Sequence, residues 1–242
     1  MKLSKRLSTV ASFISTKTYF ADIGSDHAYL PCYVCSNDRT VTAIAGEVNK
    51  GPYKSALATV RSYDLESHIK VKLGDGLDVI KNEQVVEVVL AGMGGALIKN
   101  ILTNGKEQLD PVNRIIAQPN IGEENVRQWF MRNDYILTDE KIIEENNLFY
   151  EIVVGEKGNK KSPYQKEIEA KQLFFGPFLL RDRSTEFLNK WTLNQRKYEQ
   201  TISDMKQAKH KDESKIKQFE TKLAWIKEVV EDGGQNKKFD TL

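Results

Sequence analysis

The chain is poor in the residues that build disulfide or metal frameworks. Its 242 residues include only two cysteines, Cys32 and Cys35, and three histidines, His27, His68 and His210. A disulfide scaffold needs more cysteine than this, and no second Cys or His pair stands at zinc-ligand spacing, so no metal is expected. The CYVC pattern leaves a redox or metal reading open, but it falls where a helix is expected after Pro31, and two buried helix cysteines are the favoured reading. Six prolines and fifteen glycines exclude a collagenous or low-complexity chain. No apolar run reaches membrane-spanning length. The N-terminus is basic but carries Lys17, several hydroxyls and no clear small-residue cleavage site, so a signal peptide is not expected and the cytoplasm is the expected location.

Hydrophobic residues make up 40% of the chain and charged residues 29%, as in a globular protein with a full core. The net charge of +2 conceals an asymmetry. Residues 1–155 carry 17 Lys and Arg against 20 Asp and Glu, whereas residues 156–242 carry 19 against 14. A near-neutral first part with a basic appendage suits a polyanionic partner, although a solvated helix surface gives the same charge pattern.

The periodicity predicts a short amphipathic helix over residues 3–15 and then βα alternation. Strands are expected at Tyr19–Ile23, Val41–Gly46, Ile69–Lys72, Val85–Ala91 and Arg114–Gln118, with helices from about Tyr29, over Ser55–Tyr63 and after Gly122. Two further strands, Tyr135–Ile143 and Leu148–Gly155, stand at hairpin spacing and are expected to pair antiparallel. A seven-stranded sheet closed by such a pair is the Rossmann-like architecture of class I methyltransferases. Beyond a polar loop at 156–164 the pattern changes. Phe187, Trp191, Tyr198, Ile202 and Met205, then Ile216, Phe219, Leu223, Ile226 and Val230, recur at helical spacing around the polar segment 207–215. This predicts a C-terminal antiparallel helical coiled-coil hairpin with basic exposed faces and a frayed tail from Gly233. The expected domains are residues 1–165 and 166–242.

Chemistry-bearing residues fall at the strand ends. Asp22, Glu47 and Asp75 each close an apolar run, 25 and 28 positions apart. At the end of a second strand, a carboxylate can accept two hydrogen bonds from a ribose diol, and one after a third strand can accept from an adenine amino group. Gly24 permits close backbone approach, and Asp22 can hold the turn or an ammonium group. The same acids could instead cap the following helices. Ala91 to Gly95, AGMGG, strips side chains from the end of the fourth strand, and Gln118 to Asn120, QPN, presents amides able to read the edge of a base.

These blocks resemble the bacterial tRNA N1-adenine methyltransferases that act on adenine 22. The matching segments are LSKRL (3–7), DIGSDHAYLP (22–31), NKGPYKSA (49–56), GDGL (74–77), AGMGG (91–95), QPN (118–120) and FYE (149–151). The resemblance implies S-adenosylmethionine as cofactor, with Asp22 and Gly24 at its methionine side, Glu47 at its ribose and Asp75 at its adenine. The expected cofactor site therefore comprises Asp22, Gly24, Asp26, His27, Glu47, Val48, Asp75, Gly76, Ala91, Gly92 and Met93. Asp26, Tyr29 and Asn120 are the candidates for the reaction centre. Lys5, Arg6, Tyr150, Arg196 and Lys197 are the expected contacts to tRNA: Tyr150 as a stacking partner and the basic residues on phosphates away from the chemistry. No obligate protein partner is implied. A methyltransferase acting on another RNA position, a protein or a small molecule, with the hairpin used for self-association, is the alternative. A nucleotide-binding regulatory protein, or a redox protein working through the two cysteines, also stays open.

Overall fold

A computed structural model describes residues 1–158 and 161–236, with backbone alone for 233–236. The chain divides into two compact units, Met1–Pro163 and Tyr164–Leu242. The first is built on a seven-stranded sheet of order β3-β2-β1-β4-β5-β7-β6. Its strands are β1 (Tyr19–Ile23), β2 (Thr42–Glu47), β3 (Ile69–Leu73), β4 (Glu87–Gly94), β5 (Arg114–Ile121), β6 (Tyr135–Glu145) and β7 (Leu148–Lys157). β1 pairs parallel with both β2 and β4, and β7 runs antiparallel between β5 and β6. The methyltransferase-type mixed sheet read from the sequence is therefore present. Its order reverses between β1 and β4, and in open α/β sheets ligands settle in the crevice at such a switch point.

Central strands covered on both faces must be apolar throughout, and Val88, Val89 and Leu90 of β4 are fully buried. Helices α1 (Lys5–Ala11), α2 (Tyr29–Asn37), α3 (Lys50–Ser62), α4 (Gly95–Asn104) and α5 (Glu123–Arg132) complete the unit. Boundaries differ from expectation where local chemistry decides them. Ser4 caps α1, accepting from Leu7 N, and the helix stops at Ala11, short of the expected residue 15. α3 starts at Lys50 rather than beyond Pro52, since proline is tolerated in a first turn whose N–H groups have no helical partner. β4 and β5 each run three residues further than predicted, and the β4–β5 register shifts around Gly92. Cys32 and Cys35 are free and fully buried on α2. Burial pushes their thiols up to about 11 and about 12, so neither is a thiolate at neutral pH.

The second unit contains α6 (Glu169–Phe175), α7 (Pro177–Asp182), α8 (Thr185–Gln207) and α9 (Glu213–Asn236). Gly176, at φ +88°, breaks α6 from α7. Phe174, Phe175, Phe187 and Trp191 form an aromatic cluster with centroids 4.6–6.3 Å apart. α8 and α9 run antiparallel: Lys206 pairs with Glu220 at 2.5 Å and Lys227 with Glu199 at 3.1 Å, and Tyr198 packs on Phe219. α9 continues over 233–236, where fraying was expected to begin, and the rest of that tail lies outside the described residues. Among the described residues no helix is long and apolar enough to cross a membrane.

One buried ionic group fixes the antiparallel hairpin on the sheet. Arg127 of α5 is fully buried; its Nε donates to Glu140 of β6 at 2.6 Å and its Nη2 to Glu151 of β7 at 2.5 Å. Removing one partner of a buried ion pair leaves an uncompensated charge. Arg127→Met is expected to destabilise the chain by about 3–5 kcal/mol. Adding Glu140→Gln and Glu151→Gln should recover much of that loss, as read from urea unfolding midpoints.

Candidate active site

The C-terminal ends of β1, β2 and β4 bring three of the sequence-predicted groups together. The β1 loop turns at Gly24, φ +69°, and Gly24 N and Ser25 N both donate to Gly46 O of β2, at 2.9 and 3.1 Å. A Cβ on Gly24 would lie 2.5 Å from Met93 Cε, so the turn after β1 touches the end of β4. Asp26, His27 and Ala28 then follow with φ of +42°, +67° and +57°. Three successive non-glycine residues in the left-handed region carry real backbone strain, which persists only where surrounding structure holds it. The turn delivers Asp26 N–H to the Glu47 carboxylate at the end of β2. His27 stacks on Tyr29 at 5.5 Å, and its Nε2 lies 3.4 Å from Asp26 Oδ1.

Two carboxylates in this corner are buried. Asp22 is 3% exposed and accepts from Ser25 Oγ at 2.6 Å. Burial, opposed by the Ser25 hydrogen bond and reinforced by the nearby Glu47 charge, pushes its carboxyl up to about 7. Glu47 is 5% exposed; desolvation raises it too, and its Oε1 is buried with no hydrogen-bond partner. A buried acceptor without a donor is costly, and a ligand hydroxyl there would remove the cost. Gly74 N donates to Glu47 O at 2.8 Å, which seats Asp75 beside Glu47 in the chain path. Asp75 and Gly76, with Leu77, Ile101 and Asn104, line a cavity of about 150 Å³. Val48, Asp26 and Tyr29 stand exposed around this edge.

A second cluster gathers at the ends of β4 and β5. Gln118 is completely buried, and its Oε1 accepts from Arg6 Nη1 at 2.6 Å and Gly92 N at 3.1 Å. Its Nε2 donates to Pro119 O at 3.0 Å and Asn120 Oδ1 at 3.2 Å. Asn120 Nδ2 in turn donates to Gly92 O at 2.9 Å. Gln118 is thus fully engaged within the protein, and only the exposed Asn120 of the QPN segment is available to a ligand. Gly95 is required where β4 enters α4, because a Cβ there would lie 2.0 Å from Gly122 O.

The N-terminal basic pair is held within the protein: Glu145, at the β6–β7 turn, accepts from Lys5 N at 2.5 Å and Arg6 N at 3.2 Å, while Lys5 Nζ donates to Glu144 O. The α1 N-terminus is thereby pinned, and Arg6 lies 5.6 Å from the Tyr150 ring centroid as it reaches Gln118. Its charge also acts on Asp22. Arg196 and Lys197 lie on α8 in the second unit. Sequence reasoning missed Ser25 and Glu145. Ser25 stands three residues from Asp22, a spacing that signals a local hydrogen bond, whereas nothing local marks Glu145. Among the described residues no group of three or more His, Cys, Asp or Glu is placed to hold a metal.

A seven-stranded Rossmann-like sheet closed by an antiparallel pair is the methyltransferase class of fold. The comparisons name the family. Residues 20–228 match the TrmK family model, described as tRNA (adenine(22)-N(1))-methyltransferase, and the chain belongs to that family. It is 41% identical over 235 residues to the tRNA (adenine(22)-N(1))-methyltransferase of Bacillus subtilis, covering 96% of this chain and 99% of that protein. The crystal structure of the B. subtilis M1A22 tRNA methyltransferase TrmK superposes with a TM-score of 0.87 at 40% identity, over 95% of this chain and 99% of the other. Streptococcus pneumoniae Sp1610, a putative tRNA (m1A22) methyltransferase solved with S-adenosyl-L-methionine, gives 0.83 at 38% identity, over 95% and 100%.

The raised Asp22 carboxyl has a pH consequence. The native state binds its proton up to about pH 7, while the unfolded chain releases it near 3.8. Between those values the native state holds more protons, so the Asp22 contribution to stability is full below about pH 4 and is lost as pH rises through 7. The span is on the order of 4 kcal/mol. Asp22→Asn is expected to be stabilised relative to wild type at about pH 8 and to show a flatter decline from about pH 5, checked by denaturant midpoints of the ligand-free protein.

Proposed function

We propose that this chain transfers a methyl group from S-adenosylmethionine to N1 of adenine 22 in tRNA, acting in the cytoplasm. The observation that carries the reading is the buried, partnerless Glu47 Oε1 beside the Asp22 and Gly24 turn, in a chain of this family. The residues present fit the cofactor. Glu47 would accept from the ribose hydroxyls and Asp75 from the adenine amino group. Asp22 would face the methionyl ammonium, whose charge would return its carboxyl toward the ionised form. Gly24, Gly92 and Met93 would form the floor under the methionine portion, with Gly76, Val48, Ala91, His27 and Asp26 at its edges.

The cofactor, when bound, supplies an electrophilic methyl group. The chain's own task is alignment, because the N1 lone pair is free at neutral pH and no base must first remove a proton. Holding two reactants in line and excluding water can contribute on the order of 7–11 kcal/mol. Tyr29, half exposed beside His27, and Tyr150, next to Arg6, offer ring faces for an unstacked adenine. Asp26 stands near enough to the Glu47 corner to favour the cationic product base. We propose that residues 1–165 form the catalytic domain and 166–242 an antiparallel coiled-coil hairpin whose basic faces, Arg196 and Lys197 among them, bind tRNA phosphates. Such contacts make binding salt-dependent.

Two measurements test the reading. Labelled S-adenosylmethionine with unmodified tRNA should yield N1-methyladenosine, and none when adenine 22 is replaced by guanine; no transfer to either would refute it. Glu47→Ala should weaken cofactor binding about 10- to 100-fold, the loss of charge-assisted hydrogen bonds to a diol. The ligand-free variant should unfold at a higher denaturant concentration than wild type, because a desolvated carboxylate has been removed. Unchanged cofactor affinity in Glu47→Ala would remove the ribose assignment.

A further inference from the structure

We infer that Arg6, acting through Gln118, fixes which way the Asn120 amide faces, and that Asn120 so oriented selects adenine by its N6/N7 edge. The inference rests on the proposed methyltransferase reading and adds the residue that reads the base.

The argument is one of hydrogen-bond polarity. Arginine carries only donors. Its bond to Gln118 at 2.6 Å therefore requires the Gln118 carbonyl oxygen at that position, where Gly92 N–H, also a donor, meets it at 3.1 Å. With the oxygen fixed by two donors, Gln118 Nε2 must point the other way, to Pro119 O and Asn120 Oδ1. Asn120 then has its own oxygen assigned, and its Nδ2 is directed to Gly92 O at 2.9 Å. A flip of either amide would set donor against donor at one end and acceptor against acceptor at the other. Since Gln118 is completely buried, water cannot relieve such a mismatch.

Each polar atom of Asn120 retains one further capacity, a lone pair on Oδ1 and a hydrogen on Nδ2, and the residue is exposed. An oxygen acceptor beside an amide donor is the complement of adenine N6–H2 beside N7. Read on that edge, adenine keeps N1 free for methyl transfer. Guanine presents O6 where adenine presents N6, so Asn120 Oδ1 would face another acceptor. The anchor of the relay is well supported: Glu145 holds the backbone N–H groups of Lys5 and Arg6, and Tyr150 lies beside the guanidinium.

The test uses the full-length chain with three tRNAs that carry adenine, 7-deazaadenine or guanine at position 22. Removing N7 deletes the acceptor for Asn120 Nδ2, and wild type should lose roughly tenfold in kcat/KM on the 7-deaza substrate, within the range of a base-edge contact. Asn120→Ala should be slower on adenine yet treat adenine and 7-deazaadenine alike. Gln118→Glu keeps both acceptor bonds, to Arg6 and Gly92, but cannot donate to Asn120. Its second carboxylate oxygen meets Pro119 O, so its unfolding midpoint should fall, but the folded variant should bind S-adenosylmethionine with unchanged affinity and lose the 7-deaza discrimination. Arg6→Lys, still donor-only, should retain more of the discrimination than Arg6→Gln, which can accept as well as donate. Equal rates of wild type on the first two tRNAs, or full discrimination in Gln118→Glu, would overturn the relay while leaving the methyltransferase reading intact. Absence of transfer to the adenine 22 tRNA by wild type would overturn both.

Discussion

Two carboxylates desolvated in one corner of the sheet are the constraint around which the first unit is organised. Asp22 and Glu47 end adjacent parallel strands, and the Glu47 charge adds to burial in raising the affinity of Asp22 for a proton. Left alone they cost stability, because a buried anion needs a partner and Glu47 Oε1 has none. The fold supplies partial compensation by local means: Ser25 Oγ to Asp22, and Asp26 N–H to Glu47. The second of these is presented from the start of the left-handed run Asp26–Ala28. The strained run and Asp22 lie within one turn of chain and Glu47 ends the neighbouring strand, so a cationic ligand that carries a diol would supply partners to both carboxylates. A set of helix caps would carry no such concentration of cost.

The sheet order explains why the corner stands where it does. β1 lies between β2 and β4, so the chain leaves in opposite directions from its two neighbours and opens a crevice. Gly24 and Met93 meet across that crevice, and the register shift at Gly92 gives its backbone N–H and C=O to side chains of β5 rather than to the β5 backbone. Those two groups are what Gln118 and Asn120 engage. The irregularity in the strand pairing and the polar cluster are therefore one feature. On the far side, the buried Arg127 with Glu140 and Glu151 ties β6 and β7 to α5, which holds the hairpin that carries Tyr150 and Glu145.

How much of this is legible in the sequence follows from contact range. The strand-end acids, the glycine turn and the terminal hairpin are short-range patterns, and period-two and apolar runs set them in register before any tertiary contact is considered. The α3 start escaped because Gly51-Pro52 reads as a break, although both residues fit a first helical turn. The left-handed Asp26–Ala28 stretch has no glycine to announce it. Arg6 and Gln118 are separated by 112 positions, and Lys5 and Glu145 by 140, so no local pattern encodes either bond. That the hairpin turn comes back to cap the first helix is set by the topology alone. Within the QPN segment only burial separates Gln118, which is saturated by protein, from Asn120, which is exposed.

The charge balance of the proposed reaction explains why an arginine is tolerated so near. One positive charge is present in the site throughout, first on the methyl donor and then on the methylated base. A site of this kind gains from negative potential that does not change sign during transfer, and Asp22, Glu47 and Asp26 provide it from the β1 and β2 side. Arg6 would oppose that potential if its guanidinium faced the reacting atoms. Instead its Nη1 is spent on the Gln118 carbonyl and its charge is partly offset by the Tyr150 ring face and by Asp22. What passes onward from Arg6 is hydrogen-bond direction rather than charge: a neutral amide relay ends in Asn120, which can read a base edge without placing a cation beside a nitrogen that is about to become cationic.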